Sequence, residues 1–311
     1  MRDLYKGQVK LLIDILVEVA KEECFALHGG TAINLFHLNM PRFSVDIDLT
    51  FVPFSDTAYY VHSTSNRDVD LNLIRDGLSS VKNRLGRSLL KIRFDDERRT
   101  GEELKLLCSS GNATVKIEVN QINRGLIDEP CTMVLCSRAE EEFNRFCEIR
   151  TVSAGQLWGG KVNAALDRQH PRDIFDVKNM LGTIGFTDEV KRGFLFFLLC
   201  GKRPISEVLR PNFINQRVVF ESQFAGMTDE SFSYEEFEEI REKIVVIVNN
   251  SMTDKEKAFL RSFLEGTPKW ENISSDWSMF PAVKWKQLNI NRLKRENFGK
   301  FKEEVERLGL I

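Results

Sequence analysis

The 311 residues include 44 basic and 46 acidic side chains, a formal net charge of -2 that gives no global attraction to nucleic acid and leaves any such binding to a local basic patch. An apolar content of 42% is enough to build the cores of one large or two ordinary domains, and no run approaches the roughly 18 apolar residues of a membrane span. Six scattered cysteines without a C-x-x-C pair, and only four histidines, argue against a disulfide framework, a zinc site or a His-centred hydrolytic triad, and direct the search to hard-metal oxygen chemistry.

Met1-Arg2-Asp3-Leu4 is followed by an amphipathic pattern and not by a signal-peptide core, so a soluble, cytoplasmic protein without membrane contact is expected. Val9, Leu12, Ile13, Leu16, Val17 and Ala20 recur at helical spacing and predict a first helix. The apolar run Cys24-Phe25-Ala26-Leu27-His28, ended by Gly29-Gly30, predicts a buried strand. Thr31 is placed to cap a short helix over 32–38, which Pro41 breaks, and residues 45–52 alternate as a second strand before Pro53.

A polar loop around 55–68 precedes a predicted helix over 71–85. Strand-like segments follow at 89–94, 104–108, 113–121 and 132–136, with Gly111-Asn112 as a hairpin turn between the middle two. Local pairing then gives a small, mostly antiparallel or mixed sheet with helices on one side. From about Ser153 the signals turn helical. Ser233-Tyr234-Glu235-Glu236 is a capping box ahead of Phe237, Ile240, Ile244 and Val248, and Phe298, Phe301, Val305 and Leu308 form a terminal stripe. The expected class is α+β: a sheet-containing domain over 1–152, then an all-helical domain over 153–311, within which 201–230 is a long connection.

The chemistry concentrates in Ser44-Val45-Asp46-Ile47-Asp48. On a strand, Ser44, Asp46 and Asp48 share a face, and two carboxylates in one small volume are stabilised by a cation; with phosphate oxygens and water they form the donor set that Mg²⁺ prefers. A lone D-x-D is more often a solvent-facing edge strand. Here Gly29-Gly30-Thr31 lies upstream, where backbone N–H groups at a strand-to-helix turn suit a triphosphate. Ser44 is a candidate phosphate contact or, if phosphorylated, a block on the site. In Val115-Lys116-Ile117-Glu118-Val119-Asn120 the apolar residues take one face, and Glu118 is a candidate third metal ligand or a base toward an acceptor hydroxyl. Lys161 is placed to face a triphosphate, and Asp173 and Asp176, at i and i+3, share a helix face.

Leu27-His28-Gly29-Gly30-Thr31-Ala32-Ile33-Asn34-Leu35-Phe36 and Arg42-Phe43-Ser44-Val45-Asp46-Ile47-Asp48-Leu49 resemble the AbiEii/AbiGii family of nucleotidyltransferase-like toxins. Val115 to Asn120 looks like the family's third acidic strand, Lys161 with Arg168, Arg172-Asp173-Ile174-Phe175-Asp176 like its helical element, and Phe280-Pro281-Ala282-Val283-Lys284-Trp285-Lys286 like its ending. The resemblance implies a DNA-polymerase-β-like nucleotidyltransferase domain with a mixed sheet, Mg²⁺ or Mn²⁺, an NTP donor, and a toxin beside a cognate antitoxin in a toxin-antitoxin or abortive-infection system. Related MenT-type toxins make the tRNA 3′ end the expected acceptor. In this reading Asp46, Asp48 and Glu118 bind metal, Gly29, Gly30, Thr31, Ser44, Lys161, Asp173 and Asp176 bind the nucleotide, Lys161 also neutralises charge, and Asp173 and Asp176 position either Lys161 or the base.

One departure from the family pattern is Trp158-Gly159-Gly160, where an acidic or helix-favouring residue commonly precedes the lysine. Two helical glycines cost about 1 kcal/mol each relative to alanine, which predicts a weakened helix around Lys161. Near the end, Lys286, Arg292, Lys294, Arg295 and Lys300 interleave with Trp285, Phe298 and Phe301, a pattern suited to gripping RNA. The other readings are an NTP-binding regulatory or partner-binding module without turnover, and transfer to a small molecule or a protein side chain.

Overall fold

The alternation of Asp46-Ile47-Asp48-Leu49 is realised as a strand whose apolar members are buried and whose carboxylates are half-buried, and this strand lies at the middle of a seven-stranded mixed sheet. The computed structural model describes residues 2–52, 67–88, 93–95, 104–120, 123–273 and 277–309. The predicted loop at 55–68 falls largely outside these residues, as do positions 89–92 of the predicted strand at 89–94 and the last residue of that at 113–121.

Helix α1 (Arg2–Val19) precedes β1 (Phe25–His28), the short α2 (Gly29–Ala32), a π-helical turn (Ile33–His37), β2 (Asp46–Phe51) and α3 (Arg67–Ser88). Strands β3 (Arg93–Asp95), β4 (Lys105–Ser110), β5 (Ala113–Val119) and β6 (Cys131–Val134) follow, then α4 (Ser137–Phe143) and β7 (Glu148–Thr151). The sheet order is β3-β4-β5-β2-β1-β7-β6. Pairing is parallel for β2 with β5 and for β1 with β7, and antiparallel elsewhere. The two-residue turn at Gly111-Asn112, with Gly111 at φ 59, closes the β4–β5 hairpin as expected.

Val9, Leu12, Ile13 and Leu16 of α1 are fully buried, as are Ile47 and Ile117 of the two central strands. Each such side chain contributes about 1.5–3 kcal/mol of burial. Val17 lies on the exposed side of α1 instead, and Ile15 and Val19 take the place expected for it. Thr31 does not cap a helix: α2 begins at Gly29 after extended His28, and no side chain caps it.

The helical part comprises α5 (Ala154–Arg168), α6 (Pro171–Thr183), α7 (Asp188–Leu198), α8 (Ile205–Leu209), α9 (Arg217–Val219), a π-helical turn (Phe220–Phe224), α10 (Tyr234–Ser251), α11 (Asp254–Glu265), α12 (Pro281–Glu296) and α13 (Phe298–Gly309). Ser233 caps α10 by accepting from Glu236 N, which is one half of the box read there. Contacts divide the chain into one unit of Met1–Leu157 with Glu221–Ser231, and another of Trp158–Phe220 with Phe232–Ile311. The stretch 201–230 is therefore more than a connection. It carries short helices, and within the first unit its last part pairs Thr228 with Arg42 and accepts the N–H of Phe43 at the Met227 carbonyl.

The six cysteines are free thiols, and burial pushes those of Cys24, Cys108 and Cys147 up to about 12. No helix among the described residues is long and apolar enough to cross a membrane.

Candidate active site

The parallel register of β2 and β5 sets Asp46 opposite Lys116 and Asp48 opposite Glu118. Ile47, Leu49, Val115, Ile117 and Val119 take the buried face. Because side chains alternate along a strand, the four polar residues share the other face as two adjacent pairs. The β1–β2 pairing sets His28 beside Asp48 and so brings the glycine turn to the same strand.

The turn is shaped by what lies behind it. Gly29 has φ 74, a left-handed conformation, and a Cβ there would lie 2.5 Å from Asp48 Oδ2. A Cβ on Gly30 would lie 2.9 Å from Arg42 Nη2 and 3.1 Å from Ser44 Oγ. Thr31, fully buried, has its hydroxyl 2.9 Å from Ser44 Oγ and 2.5 Å from the Asp46 carbonyl oxygen. Ser44 lies before the strand and is itself buried. An open-face position for it is therefore corrected: its hydroxyl joins the turn to β2 through Thr31. Arg42, also buried, donates to the Phe43 carbonyl and packs beside Gly30.

Glu118 faces two ammonium groups: Lys116 Nζ at 2.8 Å and Lys105 Nζ at 3.6 Å. Burial alone would lower the Lys116 pKa, but the hydrogen bond to Glu118 and the charges of Asp46, Glu118 and Asp48 outweigh it and raise the value. Among the described residues no three His, Cys, Asp or Glu side chains are close enough to enclose a metal ion. The donors still fit a hard cation: Asp46 and Asp48 offer carboxylate oxygens from one strand face, with Glu118 in register beside them. Lys105 was missed by the sequence reading, although the two-residue turn at Gly111-Asn112 counts it directly opposite Glu118.

A second group assembles in the helical unit. Lys161 is buried on α5 with Nζ 2.9 Å from Asp173 Oδ1 and 3.0 Å from Asp176 Oδ2 on α6. Arg168 adds bonds of 2.5 and 3.0 Å to Asp173. Burial raises the Asp173 pKa, but Lys161 and Arg168 more than offset it and hold the carboxyl well below the usual range.

The expected weakness of the helix at Gly159-Gly160 is corrected, since α5 runs unbroken through both. Gly159 lies against α7, where a Cβ would stand 2.3 Å from Gly193 C and Phe194 N. The glycine permits close approach of two helix backbones. The C-terminal basic patch is also smaller than expected. Lys286 is buried and donates to the Gly201 and Arg203 carbonyls at 2.7 and 2.6 Å, and Arg292 pairs with Glu296 at 2.9 Å. Phe301 is buried, whereas Phe298, Lys294, Arg295 and Lys300 are exposed.

The profile of the family described as "Nucleotidyl transferase AbiEii toxin, Type IV TA system" matches residues 10–286. In fold, the chain is similar to MenT4, a nucleotidyltransferase toxin from Mycobacterium tuberculosis H37Rv, with a TM-score of 0.59 at 12% identity, over 98% of this chain and 93% of that one. A structure described as a "putative nucleotidyltransferase from H. pylori" aligns at 15% identity and a TM-score of 0.46, over 81% of this chain and 100% of that one. No curated protein matches in sequence.

Proposed function

Because the chain belongs to the AbiEii nucleotidyl transferase toxin family of type IV toxin-antitoxin systems, we propose that it transfers a nucleoside monophosphate from an NTP to RNA, in the first place the 3′ end of tRNA. The observation that carries this reading is the register of Asp46 and Asp48 against Lys116 and Glu118, next to a glycine turn that Asp48 touches at Gly29. Asp46 and Asp48, with Glu118 as a third carboxylate, would hold a divalent cation, Mg²⁺ or Mn²⁺, that neutralises charge on the phosphates.

Main-chain N–H groups at Gly29 and Gly30 would receive the β- and γ-phosphates, and Thr31 and Ser44 hold the turn to the strand. Glu118 orients the acceptor hydroxyl or takes its proton. The hydroxyl oxygen forms a bond to the α-phosphorus, the bond from that phosphorus to the β-phosphate oxygen breaks, and pyrophosphate leaves. Lys161, balanced by Asp173 and Asp176, is a further residue that transfer requires. Exposed Lys294, Arg295 and Lys300 suit an RNA backbone. An antitoxin partner follows from the family, and a cytoplasmic location from the proposed substrates.

Incubation of the protein with a divalent metal, each labelled NTP in turn and total tRNA, beside Asp48→Ala, tests the reading. Label in tRNA with the wild type alone supports it and names the nucleotide. NTP binding without label in any acceptor replaces it with a binding module. Induction of wild type and Asp46→Ala in a host tests toxicity, and equal growth arrest by both would remove the catalytic-toxin reading.

A further inference from the structure

Three carboxylates and one ammonium form a two-by-two grid, Asp46 and Asp48 on β2, Lys116 and Glu118 on β5. Neighbouring strands are about 4.8 Å apart, so the four-carbon stem of Lys116 can bring its ammonium to any of the three acids. It rests on Glu118 at 2.8 Å, and Asp46 stands directly opposite it on β2. A divalent metal held by the same carboxylates would meet this ammonium as a like charge in the same small volume.

We propose that Lys116 is a resident counter-ion of the carboxylate grid, which a divalent metal must displace from Glu118, so that Lys116 sets the metal affinity of the site. The inference rests on the reading of Asp46 and Asp48 as metal-holding residues. It makes Lys116 a positioning residue acting through Glu118. In the free chain the ammonium limits repulsion among the acids; when metal enters, Glu118 changes partner from an ammonium to the ion. A lysine that merely completed the polar face of β5 would affect folding and leave metal affinity alone.

Titration of Mn²⁺ into the full chain without nucleotide separates these roles, by calorimetry or by the electron-spin signal of free Mn²⁺, with circular dichroism to verify folding. The expected result is binding about tenfold tighter for Lys116→Met than for wild type, since one nearby positive charge is gone. Lys116→Arg returns to wild-type affinity, and Asp46→Asn loses binding. Lys116→Gln serves if the Met variant folds poorly. Unchanged or weaker Mn²⁺ binding by a folded Lys116 variant, with Asp46→Asn still inactive in binding, overturns the counter-ion role and leaves the metal reading intact. Binding indifferent to Asp46→Asn, or absent from every protein, overturns both.

Discussion

The Asp48 carboxylate fills the space that a side chain on Gly29 would need, with Oδ2 2.5 Å from the position of a Cβ. The glycine turn and the aspartate strand are therefore one interlocked unit: β1 is followed at once by a left-handed glycine, and β2, paired antiparallel to it, carries its acid opposite the last residue of β1, His28. The same strand continues the interlock on its other edge, where Asp48 meets Glu118. A residue at 29 thus acts on the chemistry through the position of Asp48 as well as through its own main chain.

Gly29→Ala is expected to lower stability by about 1–2 kcal/mol from the left-handed backbone alone, and to push the Asp48 carboxylate out of place. Denaturant unfolding measures the first effect and nucleotidyl transfer the second. Activity should fall further than the small population of unfolded protein accounts for. Full activity in this variant would mean that Asp48 has room to move without consequence.

Much of this unit was legible locally. Period-two alternation marked Asp46 and Asp48, and the Gly111-Asn112 turn fixed the β4–β5 register. What was hidden depends on partners distant in sequence. Strand β7, Glu148-Ile149-Arg150-Thr151, has a single aliphatic residue and was not predicted; it becomes a strand by pairing with β1, more than a hundred residues earlier, and with β6. Ser44 reads as a surface hydroxyl until Thr31 covers it, and Lys286 reads as part of a basic face until the Gly201 and Arg203 carbonyls receive it.

Gly159 shows the same limit for helices. Propensity favours alanine there by about 1 kcal/mol, yet a methyl group 2.3 Å from the α7 backbone requires the helices to separate. Gly159→Ala should therefore be destabilising by about 1–3 kcal/mol, with a lower Tm by calorimetry. Gly182→Ala is the control, because nothing lies within 4 Å of a Cβ there. It should be neutral or stabilising. A Gly159→Ala variant more stable than wild type would contradict the close helix crossing.

The Lys161 cluster predicts both a mutational and an acid response. Lys161→Met leaves Asp173 and Asp176 buried without their shared ammonium, a loss of about 3–5 kcal/mol of stability. Since the folded Asp173 pKa is depressed, its contribution is present above the ordinary value of 3.8 and is lost as pH falls below that value toward the folded one. Urea unfolding between pH 6 and about 3 should show wild type losing more stability than Asp173→Asn. Equal losses would remove Asp173 as a source of acid sensitivity.

Lys286 predicts the opposite edge of the pH range. Its ammonium is buried against two carbonyl oxygens, and desolvation lowers its pKa from 10.5 to about 8. Below about 8 both folded and unfolded chains hold the proton, and the full cost of burying the charge is present. Between about 8 and 10.5 the unfolded chain binds more protons than the folded one, so stability rises with pH across that window. The amine keeps donors for the Gly201 and Arg203 carbonyls after it loses the charge, so deprotonation leaves a bonded group. From pH 7.5 to 9.5, wild type should gain about 1–2 kcal/mol relative to Lys286→Met in urea unfolding, because the methionine variant shares every other titration. A difference between the two proteins that stays constant over that range would mean that Lys286 remains charged, and that the two carbonyls compensate its burial in full.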